Sequence, residues 1–518
     1  YRQRRKMKSS PVITVEPKFY LKEQMQEHLR DHYLELTPDT KFVRWLRENP
    51  KHPRNWSIYR KIYDLGLVCL LDLVITASST AGAAAAWQAR HEYNVGHTFA
   101  TFCFVTLFLL GQCVGTIVFP PWTESFGRKK LYIISSGLSC VCCVVIGTVD
   151  SLPTAIVMRV IAGLLSAVPG NIVGGSIEDL FNSQARIWAI YWWTIASNIG
   201  LIAGPIMSSH IVAFLNWRWV FYIYAIVLGI ITGLLFLICE SRCSLLLTRE
   251  VNQLRRKIEG IPPALNHDHT PTMHNFMKEH LFRPAQLFCA EPIVFAIAMI
   301  ISVVMSLIYI FTEAMPIIYE SMGFTRPQAS LMFLAIGLGT CLSAFTRLLD
   351  AHILSKRRRK GLPVRPEDKL VGLGIGTPFL ALSLWWFGWT IPPLIQNPHI
   401  PWIVPTVALV FFGYSLTEID TVLYGYISDS YLSYSASATA AVGFFRGLLS
   451  GLFPLFTKQM FHGLGSNLAV SVLAGIATVF CVVPPLFLCY GERIRKRSRF
   501  AAYSWEIQGQ MGKDENDI

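Results

Sequence analysis

Residues 292–315 read PIVFAIAMIISVVMSLIYIFTEAM, a run with one charged side chain, Glu313, near its far end. A surface helix would show a polar stripe; this run has none, so all of its faces need an apolar surrounding. Its length is what a helix needs to cross roughly 30 Å of hydrocarbon. It therefore reads as a membrane span. Working outward, runs of the same kind lie at 62–86, 98–120, 131–149, 153–176, 187–213 and 218–239 before it, and at 328–347, 370–390, 402–426, 435–457 and 467–490 after it. Six spans precede a polar stretch at 240–291 and six follow it. The expected architecture is all-α and integral to the membrane. It has a tail (1–61), a six-helix half (62–239), a central loop (240–291), a second six-helix half (292–490) and a tail (491–518).

Composition agrees, because 52% of the 518 residues are hydrophobic, 15% are charged and mean hydropathy is +0.41, more apolar side chain than one soluble core buries. The first sixty residues are polar and basic, so no cleaved leader is expected and the first span would direct insertion. The twelve cysteines lie mainly within apolar runs or at flanks expected to be cytoplasmic, and no structural disulfide is expected. The cluster Cys140, Cys142 and Cys143 sits mid-span without a nearby His or carboxylate, which favours packing over metal binding.

Placing the basic residues fixes an orientation. With the N-terminus inside, 40 of the 46 Lys and Arg fall in inside segments, four outside (Arg90, Arg218, Arg326 and Lys458) and two within spans (Arg159 and Arg446). That bias predicts both termini and the central loop in the cytoplasm. The net charge of +13 is thus juxtamembrane, and nucleic acid is not an expected partner. The run Lys356 to Lys360 reads as a topology anchor. In the central loop, Leu247, Val251, Leu254 and Ile258 recur at helical spacing beside Arg249, Arg255, Arg256 and Lys257, a pattern suited to a helix lying on the inner leaflet.

Charged groups inside the bilayer each cost roughly 2.5–3.5 kcal/mol at mid-span and should face a cavity or a partner. The candidates are Asp72 in span 1, Arg159 in span 4, Glu313 in span 7, Glu418 and Asp420 in span 10 and Arg446 in span 11. A carboxylate shielded from water can load a proton on one side and release it on the other, and Asp72 is the first candidate for that role. Glu418 and Asp420 are two residues apart, about 200° around a helix, so they cannot share a face. Arg446 can pair with Glu418. Glu313 lies close enough to the outer interface for plain solvation to be favoured. Trp188, Tyr191, Trp192, Trp193, Trp217, Trp219, Trp385, Trp386 and Trp389 cluster at span ends, where an interfacial belt is expected. Deeper in, Phe104, Phe108, Tyr309, Phe412, Tyr414 and Asn198 are candidates to line a pocket for a flat, apolar or cationic compound.

Between spans 2 and 3 comes Pro120-Pro121-Trp122-Thr123-Glu124-Ser125-Phe126-Gly127-Arg128-Lys129-Lys130, a tight turn with an acid before a Gly and a basic cluster. The acid there can pair with basic groups across the inner face, a contact that can latch the two halves in one state and break in another. Span 5 carries Gly200-x-x-x-Gly204-Pro205: the glycines permit close helix approach, and the proline frees a carbonyl and can bend the helix as a gate. Other matches follow in order: Asn55-Trp56-Ser57, Arg159-x-x-x-Gly163, Asn216-Trp217-Arg218-Trp219, Tyr426 to Tyr431, Pro454-Leu455-Phe456 and Gly491-Glu492-Arg493.

Together these motifs, spread over residues 50–501, resemble the major facilitator superfamily and, within it, the fungal drug:proton antiporter branch with twelve spans. The resemblance implies export of drugs, polyamines or secondary metabolites by alternating access, driven by the proton gradient without a cofactor. It links Arg159 to proton coupling, and it implies a monomer in the plasma membrane of a fungal cell. Gly372-x-Gly374-x-Gly376 lies inside span 9, so it is no dinucleotide loop, and a Walker-type loop is not found. An ion gradient, or the substrate's own, is the expected energy source. A passive facilitator or nutrient importer is the second reading, and a membrane sensor the third.

Overall fold

The structure is a computed structural model that describes residues 25–37, 41–46, 48–181, 183–257, 261–265, 282–359, 366–392, 401–431 and 435–498. Among the described residues, twelve helices are long and apolar enough to cross a membrane. Spans 1 to 6 are Ile58–Glu92, His97–Pro120, Arg128–Thr148, Leu152–Leu180, Ala185–Phe214 and Arg218–Leu235. Spans 7 to 12 are Pro292–Glu320, Arg326–Asp350, Val371–Thr390, Ile403–Ser430, Ser437–Leu464 and Ser466–Gly491. The run that opened the sequence analysis becomes span 7, continuous through Pro316 and buried along most of its length.

The packing repeats. In the first half span 1 lies on span 5, span 2 on span 4 and span 3 on span 6. In the second half span 7 lies on span 11, span 8 on span 10 and span 9 on span 12, the same scheme six spans later. The halves meet through spans 2 and 11 and through spans 5 and 8, equivalent pairs under that repeat. Spans 1 and 5 approach closely because Gly200 and Gly204 have no Cβ: one added at Gly200 would meet the Leu73 carbonyl, and one at Gly204 the Ala77 carbonyl. Span 5 stays helical through Pro205.

Two elements depart from the expected layout. The helix of span 2 runs on through Pro120 and Pro121 to Phe126, so the turn before span 3 is Gly127 alone, with φ 86°, a backbone conformation that side chains with a Cβ avoid. Span 2 also contains a π-turn at Phe102–Thr106.

A second compact unit comprises residues 1–57 and 242–269. Its strands β1 (Leu34–Leu36) and β2 (Val43–Trp45) pair antiparallel, with Leu34 opposite Trp45. The helix Cys243–Arg255 buries Leu247, Val251 and Leu254 in one cluster with Leu29, Leu34, Val43 and Ile261. Lys51 Nζ meets Glu250 Oε2 at 2.8 Å. The apolar face read as a lipid-surface helix is therefore covered by protein; Ile258 and the residues before 25 lie outside the described residues.

Candidate functional site

The centre of the bundle holds a cavity of about 40 Å³ lined by Asp72, Ser79, Gln112, Trp193, Tyr309 and Arg446, among others. Asp72 is 2% exposed. Span 5 holds it: Trp193 Nε1 donates to Asp72 Oδ2 at 2.8 Å, and the Ser197 hydroxyl bonds the same carboxyl. Trp193 thus leaves the expected interfacial belt, since at an i→i+4 spacing from Ser197 its indole points inward. Arg446 reaches the cavity from span 11, in the other half. Its charge interacts with Asp72 and also with Asp420 on span 10, which is buried and has one carboxylate oxygen without a direct hydrogen bond. One guanidinium thus acts by its charge on carboxylates from both halves.

Toward the end of the bundle remote from residues 58 and 498, the cavity closes where the Ser79 and Tyr309 hydroxyls meet at 2.9 Å across the two halves. Beyond that contact opens a vestibule of about 520 Å³, lined by Trp87, His91, His97, Glu313, Glu320 and Lys458 among others. Glu313 is 8% exposed, not solvated as expected. The Thr101 hydroxyl donates to its Oε1 at 3.3 Å, and His97 Nε2 lies 3.3 Å from its Oε2, both from span 2 of the opposite half. Nearby, the Trp87 ring lies between the guanidinium groups of Arg90 and Arg326, at 3.6 and 3.2 Å from its centroid, and Arg326 also pairs with Glu320 at 2.7 Å.

Arg159 is 1% exposed. Its Nε donates to the Phe104 carbonyl at 2.8 Å, a second guanidinium nitrogen reaches the same oxygen, and its charge lies over the Phe108 ring. The π-turn supplies that acceptor, because i→i+5 bonding offsets carbonyls from the regular ladder. Gly82 leaves room for it, since a Cβ there would fall 2.7 Å from the Arg159 guanidinium.

The second half has its own charge cluster, and here the expected Arg446–Glu418 pair is replaced. Glu418 bonds Arg347 of span 8, which also holds Asp350 at 3.0 Å. The 200° separation within span 10 explains the exchange: Glu418 faces spans 8 and 9 while Asp420 faces Arg446. Asn198 donates to the Thr417 hydroxyl across the halves at 3.3 Å. Phe412 packs edge-on against Phe311, and the Tyr414 hydroxyl meets Thr346 at 2.5 Å; neither residue lines the two cavities described. Phe104 is equally enclosed, whereas Phe108 and Tyr309 do line the central cavity.

The loop between spans 2 and 3 is tied within its own half. Arg128 pairs with Asp179 at 3.0 Å, the Arg128 and Lys129 backbone amides donate to Glu240 at 2.9 and 3.2 Å, and Lys129 Nζ donates to the Phe236 carbonyl. Arg128 and Lys129 are thus engaged by span 4 and by the segment after span 6, while the cross-half latch was expected of the acid of this turn. The Glu124 side chain lies outside the described residues. Among the belt aromatics, Trp192, Trp219 and Trp389 are exposed as expected. Trp217 is fully buried, its Nε1 donating to Glu92 at 2.6 Å, and Tyr191 is buried against Ser343 of the other half.

Two matched six-helix halves around a charged central cavity define a two-half membrane transporter. The family profile of the Major Facilitator Superfamily matches residues 68–454, and the chain belongs to that superfamily. The multidrug transporter TPO1_2 of Candida glabrata is 32% identical over 459 residues, covering 88% of this chain and 78% of that one. The MFS-type transporter penM of Penicillium rubens is 29% identical over 477 residues, covering 90% of this chain and 92% of that one. Among solved structures, the proton:xylose symporter XylE superposes with a TM-score of 0.59 at 15% identity, over 84% of this chain and 97% of that one, a likeness of fold alone. The protein is a multi-pass membrane transporter grouped with fungal multidrug and MFS-type transporters.

Proposed function

We propose that this chain is a proton-coupled antiporter that exports small organic molecules from a fungal cell. It works as a monomer in the plasma membrane, with both termini in the cytoplasm. The observation that carries the reading is that Asp72 and Arg446, from opposite halves, line one central cavity, with the buried Asp420 also within reach of the Arg446 charge. With both carboxylates charged, Asp72 attracts a guanidinium that belongs to the opposite half and helps hold the halves together at the centre. A proton on Asp72 removes that attraction, and a cationic substrate that takes its place on the carboxylate competes with the proton for one site. A contact made in one arrangement and weakened by a proton shifts the balance between arrangements. Proton and substrate competing for one carboxylate is the logic of exchange. The relatives named multidrug transporters support efflux, and the placement of basic residues supports the orientation.

The test is transport in reconstituted vesicles with ethidium, rhodamine 6G and spermidine as probes. An imposed pH gradient is expected to drive at least one of them, and Asp72→Asn and Asp420→Asn to lower that driven flux at least tenfold. If the gradient changes no flux and both variants match the wild type, proton coupling is wrong and a passive carrier remains.

A further inference from the structure

We propose that Glu313 and His97 form the station at which protons enter from the distal vestibule, and that Tyr309 and Ser79 pass them on to Asp72. This rests on the antiport reading above and adds the route. The Ser79–Tyr309 contact stands between the central cavity with Asp72 and the vestibule, so the shortest way for a proton from that side leads past it. Groups able to carry a proton stand on both sides of it. Glu313 follows Tyr309 by four residues on span 7, one turn on and on nearly the same face. Glu313 lines the vestibule, and Tyr309 and Ser79 line the central cavity. Ser79 in turn lies seven residues beyond Asp72, two turns along one face of span 1, about 10 Å at 1.5 Å per residue. The 40 Å³ between them is enough to hold bridging water.

His97 guards the entrance. Its Nε2 is 3.3 Å from Glu313 Oε2, and its ring sits edge-on to Trp87. Other charged or titratable groups face the vestibule. They are His91 on span 1, Glu320 on span 7, Arg326 on span 8, and Lys458 and His462 on span 11, while Arg90, over the Trp87 ring, acts on Glu313 by charge from outside the lining. Arg326 is taken up by Glu320 and Trp87, which leaves His97 as the protonatable group in direct contact with Glu313. The transfer balances at each step. Imidazolium His97 gives its Nε2 proton to the Glu313 carboxylate, leaving a neutral ring and a neutral acid. The acid passes a proton to the Tyr309–Ser79 hydroxyl pair as that pair releases one to cavity water, and the water delivers a proton to Asp72. His97 then takes a proton from vestibule water, so the net change is one proton moved from vestibule to Asp72 with every intermediate group restored.

The experiment compares gradient-driven flux with substrate exchange at equal pH, which needs no net proton movement, using whichever of ethidium, rhodamine 6G and spermidine the wild type moves fastest. Glu313→Gln is expected to cut driven flux at least tenfold while exchange stays above half of the wild-type rate. His97→Gln is expected to lower driven flux at least tenfold in the same way, with exchange above half of the wild-type rate. Wild-type flux that ignores the gradient defeats the antiport reading itself. Gradient-driven wild-type flux with Glu313→Gln equal to wild type overturns the route alone. If Glu313→Gln loses both activities, His97→Gln decides, and driven flux equal to the wild type overturns the route.

Discussion

Arg347 and Glu418 face each other with side chains 8% and 1% exposed. Removing one partner of a buried pair strands a charge and costs about 3–5 kcal/mol. The two partners are not equivalent, because Arg347 also holds the buried Asp350. Arg347→Met strands two carboxylates, whereas Glu418→Gln leaves Arg347 still paired. Arg347→Met is therefore expected to destabilise the detergent-solubilised protein by about 3–5 kcal/mol and Glu418→Gln by less than half of that, with gradient-driven flux retained in the latter. Thermal unfolding and vesicle flux check both; equal destabilisation would show that Asp350 takes no part. At this scale Asp72 was legible, because a carboxylate in an apolar run has few explanations. Trp193 and Arg347 were not. An aromatic near a span end has the same sequence context whether it faces lipid or a neighbouring helix, and Arg347 sits where span 8 gives way to a basic stretch. Glu313 was misplaced for the same reason, since distance from a span end does not reveal which helices of the opposite half cover it.

Among the elements, the glycines of span 5 give a matched pair with one in span 4. A Cβ at Gly204 would collide with the Ala77 carbonyl and the Thr80 hydroxyl, whereas one at Gly174 meets nothing within 4 Å. Backbone cannot yield as a side chain can, so Gly204→Ala is expected to cost about 1–3 kcal/mol through a forced shift of span 1 against span 5. Gly174→Ala should be neutral or stabilising, by up to about 1 kcal/mol from helix propensity. Melting temperatures of the two variants read the difference, and equal values would mean that spans 1 and 5 part freely. The sequence pattern alone did not separate these cases, because small-xxx-small spacing also occurs at Gly111 and Gly115, which pack on span 4, and at Gly447 and Gly451, which pack on span 2. The π-turn left no mark in the sequence at all: Phe102–Thr106 has ordinary apolar composition.

For the whole molecule, the spans and their division into six and six followed from run lengths, since the bilayer fixes how long an apolar helix must be. The small unit did not, because its partners are remote in sequence: Trp45 Nε1 donates to the carbonyl of Cys243, 198 residues on. Interface contacts at the vestibule end give a test of how the halves move. Gln459 Nε2 and the Thr98 hydroxyl meet at 3.0 Å. Cysteines at both positions, with exposed Cys289, Cys341 and Cys489 made serine, are expected to be joined by a short thiosulfonate linker that stops transport until reduced. Undiminished flux in the linked protein would mean that this end need not part. Thr101 and Thr106 belong to the same interface: one bonds Glu313 of span 7, the other the Gly451 carbonyl of span 11 at 2.7 Å. Five residues apart in an unbroken α-helix, they would point about 140° away from each other. The wide turn between them brings both hydroxyls round to the opposite half, so rewinding it to α geometry would swing one of them off its partner. Two of the hydroxyl contacts that join the halves here thus depend on the winding of a single turn.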